Sequence, residues 1–488
     1  MHSPIIRHVD VDGTPRKGDL YATFAALSAG TVDGFPALRS HQVEMWHVFC
    51  VQVAVHATER AGLDRPPIDP LEWRRILHAL TPQWPHGEPW QLMVEDTDMP
   101  ALLQPAIAAA EIDLRKKTPA RSPDEIDVIV AGRNHEIKSG AFDDPQDDDW
   151  LFALVTLQTS EGCMGAGTQG VSRINGGYAS RTTMRLVPDG GASAAFLRDV
   201  SVLMRTRRET PPPTGPVVLW TEPWKGKPDV SFEALALDPL YIEICRRIRL
   251  VGQDGAIVAV RTGSTSALVN SDRGMTGCPW TPIVLTDKEP KSFSPGPVSD
   301  YRVPASLLDR TRTRRPLLAE AHPEDGEGGE IRISGMRRGQ GATERFDLYR
   351  MPMPSGDAIT AMATVDLHLP ARGDAYAKAW NVLRTALTSA RQGAPERIRF
   401  DDAASSQWAD EARHRYGEQV GLMPEEGECQ EMDVVRRSAA ALARKTFEER
   451  TAMLPGARTP RGIATAARSA GLLDHMLEKF IKGDEDDQ

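Results

Sequence analysis

Residues 431–451 read EMDVVRRSAAALARKTFEERT and residues 459–481 read TPRGIATAARSAGLLDHMLEKFI; these two stretches decide how the chain ends. Alanine, leucine and charged residues recur in them at helical spacing, with too few turn residues for strands. Residues 374–391 and 403–420 repeat the pattern upstream. Four such segments in succession predict an all-α C-terminal four-helix bundle over residues 357–488.

Residues 1–356 have another character. Residues 35–57, FPALRSHQVEMWHVFCVQVAVHA, are apolar on most faces and predict a buried helix. Asp69 and Pro70 mark the start of a helix over residues 71–80, aspartate as N-cap and proline in the first turn. Trp84 and Trp90 lie in turns and are expected to pack. Residues 127–131, 217–220 and 256–262 read as strands, residues 150–159 as helix, and residues 323–330 as a solvated loop. Glycines crowd residues 162–177, and PPPTG at 211–215 is a stiff linker or hairpin edge. The expected class is α+β, a mixed N-terminal domain with irregular loops followed by the bundle.

Composition narrows the function classes. The chain has 488 residues, 40% hydrophobic and 26% charged, with a formal net charge of −10. That charge argues against wholesale coating of nucleic acid but permits local binding, because phosphate contacts depend on patches. Arginines gather at 302–315 and 332–350, which makes an anionic ligand plausible there. No apolar run is long enough to span a bilayer, and the start, MHSPIIRHVDVDG, lacks signal-peptide regions, so no membrane partner and a cytoplasmic home are expected. The five cysteines lie far apart, without a Cys-x-x-Cys pair, so neither a zinc ribbon nor a disulfide framework is expected.

Catalytic motifs fail on inspection. Residues 165–170, GAGTQG, spell a GxGxxG with Asp189 downstream, the pattern of a dinucleotide-binding oxidoreductase. That fingerprint needs a strand before it and a helix opening inside it; here the preceding run has helix-like spacing, and Asn175-Gly176-Gly177 follows closely. Asp143, Asp144, Asp147, Asp148 and Asp149 read as a solvated loop rather than a metal site. His41 and His47 are six apart, not on one helical face, and His135-Glu136 has no second histidine at zinc-protease spacing. Neither a Walker lysine motif nor a GxSxG elbow occurs. No enzyme, cofactor or metal is expected.

Four patterns in order carry a resemblance. They are RNHEIK at 133–138 followed by DWLFALVTLQT at 149–159; RINGGYASR at 173–181; TGCPWTPI at 276–283; and GMRRGQGA at 335–342. Together they resemble the CasA family, the large subunits of the type I-E CRISPR surveillance complex Cascade. The resemblance implies a non-catalytic subunit that reads a short flanking motif, the PAM, in double-stranded target DNA. It also implies partners: the guide RNA 5′ end, the other Cascade subunits and a helicase-nuclease effector. Sequence reading in such systems is delegated to base pairing, while the protein reads only the flank.

Residue by residue, the resemblance makes Gln340 a wedge entering the duplex, with Gly339 and Gly341 allowing a tight turn. Arg337, Arg338 and Arg345 are the expected phosphate contacts that back it. Asn175, Gly176 and Gly177 correspond to a glycine loop lying against the minor groove, a space only about 6 Å wide. Arg173 and Arg181 flank that loop and are expected to grip phosphates. Read without the family, Asn175-Gly176 marks a hairpin turn and 337–341 a hairpin tip. Asn134 and Lys138 are the candidates for the guide-RNA and subunit-contact loop. The chain departs from the family in having no lysine between 256 and 280, only Arg261 and Arg273, so Arg273 is the candidate for the missing contact. Cys278 stands where aspartate is expected. A helical scaffold that touches only proteins is the alternative.

Overall fold

The structure is a computed structural model. It describes residues 4–112, 118–128, 144–160, 167, 170–171, 173, 181–209, 215–226, 232–233, 237–265, 269–270, 277–295, 302–338, 343–392, 408–409, 411–413, 415–417, 419–420, 431–454 and 456–483, with the backbone alone at 232–233, 269–270, 338 and 343–345. The fold is mixed α+β with a C-terminal helical region. The chain forms two compact units, one of Met1–Pro295 with Arg315–Arg350, the other of Gly296–Arg314 with Met351–Gln488. Residues 296–314, which the sequence reading grouped with the first domain, cluster with the second unit.

The first unit opens with a small antiparallel sheet of β1 (Ile6–Asp10), β2 (Pro15–Gly18) and β3 (Val32–Gly34), in the order β2-β1-β3. Helix α1 (Leu20–Ser28) lies within this segment, and the core helix α2 (Ser40–Arg60) follows. From His41 to Thr58 every residue of α2 except Val43 is buried, as the apolar run predicts. Trp46 packs edge-on to Phe152, ring centroids 5.0 Å apart. Each large apolar side chain buried in this way contributes roughly 1.5–3 kcal/mol relative to exposure.

Several buried polar residues of α2 reach distant partners, as burial favours. His41 Nε2 lies 2.8 Å from Asp127 Oδ1, and His47 Nε2 lies 2.7 Å from Asp199 Oδ2. Gln52 donates to the Tyr241 carbonyl at 2.8 Å. Helix α3 (Pro70–Leu80) starts as its sequence says, with Asp69 accepting from the Leu71 N–H at 3.0 Å.

Helix α4 (Asp147–Ser160) is buried along its length from Asp148. The acidic run that opens it is therefore not a solvated loop throughout. Asp148 accepts from Arg7 Nε at 2.8 Å and Nη2 at 2.7 Å, and Asp149 caps the turn by accepting from the Gln146 N–H at 2.8 Å. Carboxylates suit the first turn of a helix, where unpaired N–H groups and the helix dipole favour negative charge.

After α4 come β4 (Thr183–Val187) and α5 (Gly191–Arg208). Two antiparallel strands, β5 (Ile248–Gln253) and β6 (Ala256–Arg261), form a hairpin in register Ile248↔Arg261. The strand expected at 217–220 is reduced to one bridge, Val218 to Ile242, before a 3-10 turn at Leu219–Thr221. Trp220 accounts for the turn, since its buried indole donates to the Pro89 carbonyl at 3.0 Å. The strand expected at 127–131 also differs, because Asp127 and Val128 lie in a turn; its remainder is outside the described residues. A third sheet, in the order β8-β7-β4, is made by β4 with β7 (Glu330–Arg338) and β8 (Thr343–Pro352).

In the second unit, α6 (Arg302–Leu308) packs on α7 (Ala358–Gln392). Helix α7 begins well before the expected residue 374 and runs through Pro370. A proline inside a helix costs about 3 kcal/mol, which here is offset by burial of Val365, Leu369, Tyr376 and Trp380 around it. Helices α8 (Met432–Thr451) and α9 (Pro460–Lys482) agree with the two stretches that opened the sequence reading. They pack on α7 and on each other. Residues 408–409, 411–413 and 415–417 are helical, tied in by Tyr416, whose hydroxyl donates to the Tyr376 carbonyl at 3.0 Å.

Candidate nucleic-acid interface

Strands β4 and β7 run antiparallel in the register Thr183↔Ser334, Met184↔Ile333, Arg185↔Arg332. Strand β4 begins just after residues 174–180, the glycine-bearing segment; β7 ends at Arg338, just before residues 339–342. Because the strands are antiparallel, the start of one and the end of the other lie at the same end of the sheet. There the buried hydroxyls of Thr183 and Ser334 meet at 2.9 Å.

Two further contacts tighten this corner. A Cβ on Gly335 would come within 2.8 Å of Thr182 Oγ1 and 3.0 Å of Pro295 Cγ, so only glycine fits so close an approach. The Met184 N–H donates to the Trp280 carbonyl at 2.8 Å, which brings the third motif alongside β4. Three of the four motifs that carry the resemblance thus converge on one strand.

Behind the sheet stands Glu44 of α2. Its Oε2 accepts from Arg185 Nε of β4 at 2.7 Å, and its Oε1 from Arg332 Nη1 of β7 at 3.1 Å. One buried carboxylate therefore holds both strands. Burial alone raises its pKa, but Arg185, then Arg332 and His47, outweigh burial and bring it down to about 2.

At the two arginines that flank residues 174–180 in sequence the structure differs from expectation. Arg173 and Arg181 are 1% and 2% exposed, and both turn inward. A single oxygen, Glu243 Oε1, lies 2.6 Å from Arg173 Nε and 2.9 Å from Arg181 Nη1. Arg173 also donates to the carbonyls of Pro239, at 2.7 Å, and Tyr241, and its guanidinium sits 4.2 Å above the Tyr241 ring. Arg181 reaches Cys278 Sγ at 3.1 Å and lies 5.4 Å from the centre of the Trp280 ring. Neither guanidinium faces solvent to grip phosphate; both brace the chain on either side of residues 174–180. Burial would raise the Cys278 thiol, yet Arg181 and Arg173 beside it pull its pKa below the ordinary value.

The other candidates fall as follows. Arg337 is half-buried and donates to the Pro295 carbonyl at 3.2 Å. Arg338 ends β7 and Arg345 lies near the start of β8, so both belong to the hairpin arm. Gln340, Gly339, Gly341, Asn175, Gly176, Gly177, Arg273, Asn134 and Lys138 lie outside the described residues.

The dinucleotide reading of 165–170 fails. A helix, α4, precedes it in place of a strand. A Cβ on Gly170 would collide with the Cys245 backbone, so the last glycine serves packing within the chain. Among the described residues no group of three or more His, Cys, Asp or Glu side chains could hold a metal ion, and no helix is long and apolar enough to cross a membrane.

Sequence reasoning missed Glu44 and Glu243. Each is a lone glutamate in an apolar run, in VEMWHVFC and in YIEIC. A carboxylate there must find a distant cation, because burial without one is too costly. That signal was available.

No family model and no curated protein matches the chain. Solved structures do match over nearly its whole length. Cse1 from Thermobifida fusca shares 15% identity and a TM-score of 0.64, with 98% of this chain and 97% of that chain covered. CasA (Cse1) from Thermus thermophilus shares 13% identity and a TM-score of 0.62, with 98% of each chain covered. A chain of a CRISPR RNA-guided surveillance complex gives 13% identity and a TM-score of 0.62, covering 97% of this chain and 98% of its own. At these identities the likeness establishes the fold, and that fold is CasA-like.

Proposed function

We propose that this chain is the large, non-catalytic subunit of an RNA-guided surveillance complex of the Cascade type. In this reading it recognises the PAM in double-stranded DNA, helps open the duplex and stabilise the R-loop, and recruits a helicase-nuclease. The observation that supports the proposal is the Thr183–Ser334 pair, since in sequence residues 174–180 lead into β4 and residues 339–342 follow β7 at that end of the sheet.

Geometry supports a shared target. Paired strands stand about 5 Å apart, close to the width of a minor groove, about 6 Å. Beyond Ser334 the arm runs to Arg338, a further ~14 Å at about 3.4 Å per residue. From Thr183 back to Gly177 the chain can span roughly 20 Å. Both segments can therefore reach the same few base pairs. The CasA-like fold and its match to a chain of a CRISPR RNA-guided surveillance complex agree with this assignment.

The test is filter binding of PAM-containing duplex by the complex with and without this subunit. Retention that depends on both the PAM and the subunit is the expected result. Retention indifferent to the subunit would leave a protein-only scaffold.

A further inference from the structure

Arg173, Glu243 and Arg181 form a buried Arg–Glu–Arg triad, all three side chains 1% exposed. Such triads are poor sources of stability. Desolvating three charged groups cancels most of their attraction, and apolar side chains of similar volume serve folding as well or better. What this one supplies is geometry, because the Arg173 fork is fixed on the Pro239 and Tyr241 carbonyls and so holds its charge at one place beside Glu243. The position of this one is informative. Its arginines are the residues immediately before and after 174–180, and both meet the same oxygen of Glu243. The two residues that flank 174–180 in sequence are thus tied at one point.

The surrounding contacts fix that point. The Arg181 N–H donates to the Ser160 carbonyl at 2.9 Å, and Val171 exchanges backbone hydrogen bonds with Ile244 at 3.0 and 3.1 Å. Glu243 stands next to Ile244 in sequence, so the carboxylate is held by the segment that Val171 bridges. Tyr241 and Trp280 close over the two guanidiniums, and Cys278 takes the remaining face of Arg181.

We propose that Glu243 is a positioning residue, which sets the width of the glycine loop's base and thereby its fit to the groove it reads. The inference rests on the function proposed above and adds to it a determinant of PAM discrimination that touches no DNA. Arg173 and Arg181 act through the same clamp, as braces and not as phosphate contacts.

The experiment uses the assembled complex with Glu243→Gln and with the triple variant Arg173→Met, Glu243→Leu, Arg181→Met. The triple variant removes the clamp while leaving no unpaired buried charge, though it takes the Arg173 donor from the Pro239 and Tyr241 carbonyls, so it is expected to assemble and to melt modestly below wild type. Its affinity for duplex lacking a PAM should stay unchanged while that for PAM duplex falls about tenfold, the scale of one lost recognition position. A folded triple variant that keeps wild-type discrimination overturns the proposal. So does a parallel loss of both affinities, which would mark the triad as merely structural. A nitroxide carried at position 176 on an unnatural amino acid gives a readout independent of DNA. Its spectrum should sharpen in the triple variant, and an unchanged line shape overturns the clamp. Absence of PAM preference in wild type would sink the functional reading instead, and the line shape would still decide the clamp.

Discussion

The hydroxyls of Thr183 and Ser334 lie 2.9 Å apart, buried, at the point where the glycine segment enters β4 and β7 leaves for its tip. Each hydroxyl is the other's partner across the strands. Losing one leaves the other unsatisfied, at a cost of about 1–3 kcal/mol, whereas losing both is milder. Thr183→Val and Ser334→Ala should each lower stability by that amount, and the double variant by less than their sum. Denaturant unfolding of the four proteins measures it. Strict additivity would mean that the hydroxyls do not interact.

Glu44 gives the fold a pH dependence. Its pKa falls from the ordinary 4.5 to about 2 on folding. A carboxylate depressed in this way contributes stability that is fully present above the unfolded value and is lost as pH falls through the folded one. The window therefore runs from about 4.5 down to about 2, and the contribution is on the order of 3 kcal/mol. Glu44→Gln should flatten the stability profile in that window and lower stability at neutral pH. An unaltered acid limb in urea titrations would remove Glu44 from the account.

Gly335 is a packing position as well as a strand residue. With Thr182 Oγ1 at 2.8 Å and Pro295 Cγ at 3.0 Å from an added Cβ, Gly335→Ala must push the strands apart. A loss of about 1–3 kcal/mol follows from such overpacking. A melting temperature equal to wild type would show that the corner has slack.

Much of the fold was legible because its signals are local. The Asp69-Pro70 cap, the largely apolar run of α2 and the alanine-rich spacing of α8 and α9 each state their element within a few residues. The failures were tertiary. Helix α7 passes through Pro370 because packing holds it, and Asp148 is buried because Arg7 reaches it from far away in sequence. The candidate interface was legible in part. Sequence order named the glycine and glutamine segments, but which end of which strand they leave from depends on the pairing of β4 with β7. Arg173 and Arg181 were misassigned, since nothing local says that an arginine turns inward to a glutamate far along the chain.

On the hairpin arm, Arg337 and Arg338 precede the tip directly. Each phosphate contact adds about 0.9 to the slope of log affinity against log salt. Replacing both by alanine should therefore lower the slope for duplex binding by about 1.8. Binding measured from low to moderate salt checks this, and an unchanged slope would remove both from the phosphate contacts.

The wedge has its own signature. Opening a base step costs a few kcal/mol, which a side chain entering the stack must help supply. Gln340→Ala in the assembled complex should leave assembly and PAM binding intact while strand separation, followed by a base-analogue fluorophore, weakens. Normal separation would count against this side chain as the wedge.

Photo-crosslinking from positions 176 and 340 of the assembled complex to one PAM-containing duplex tests most directly whether both tips address the same place. The account predicts crosslinks from both positions within about three base pairs of each other, roughly 10 Å along the axis. Crosslinks separated by a helical turn or more, or from one position alone, would contradict it.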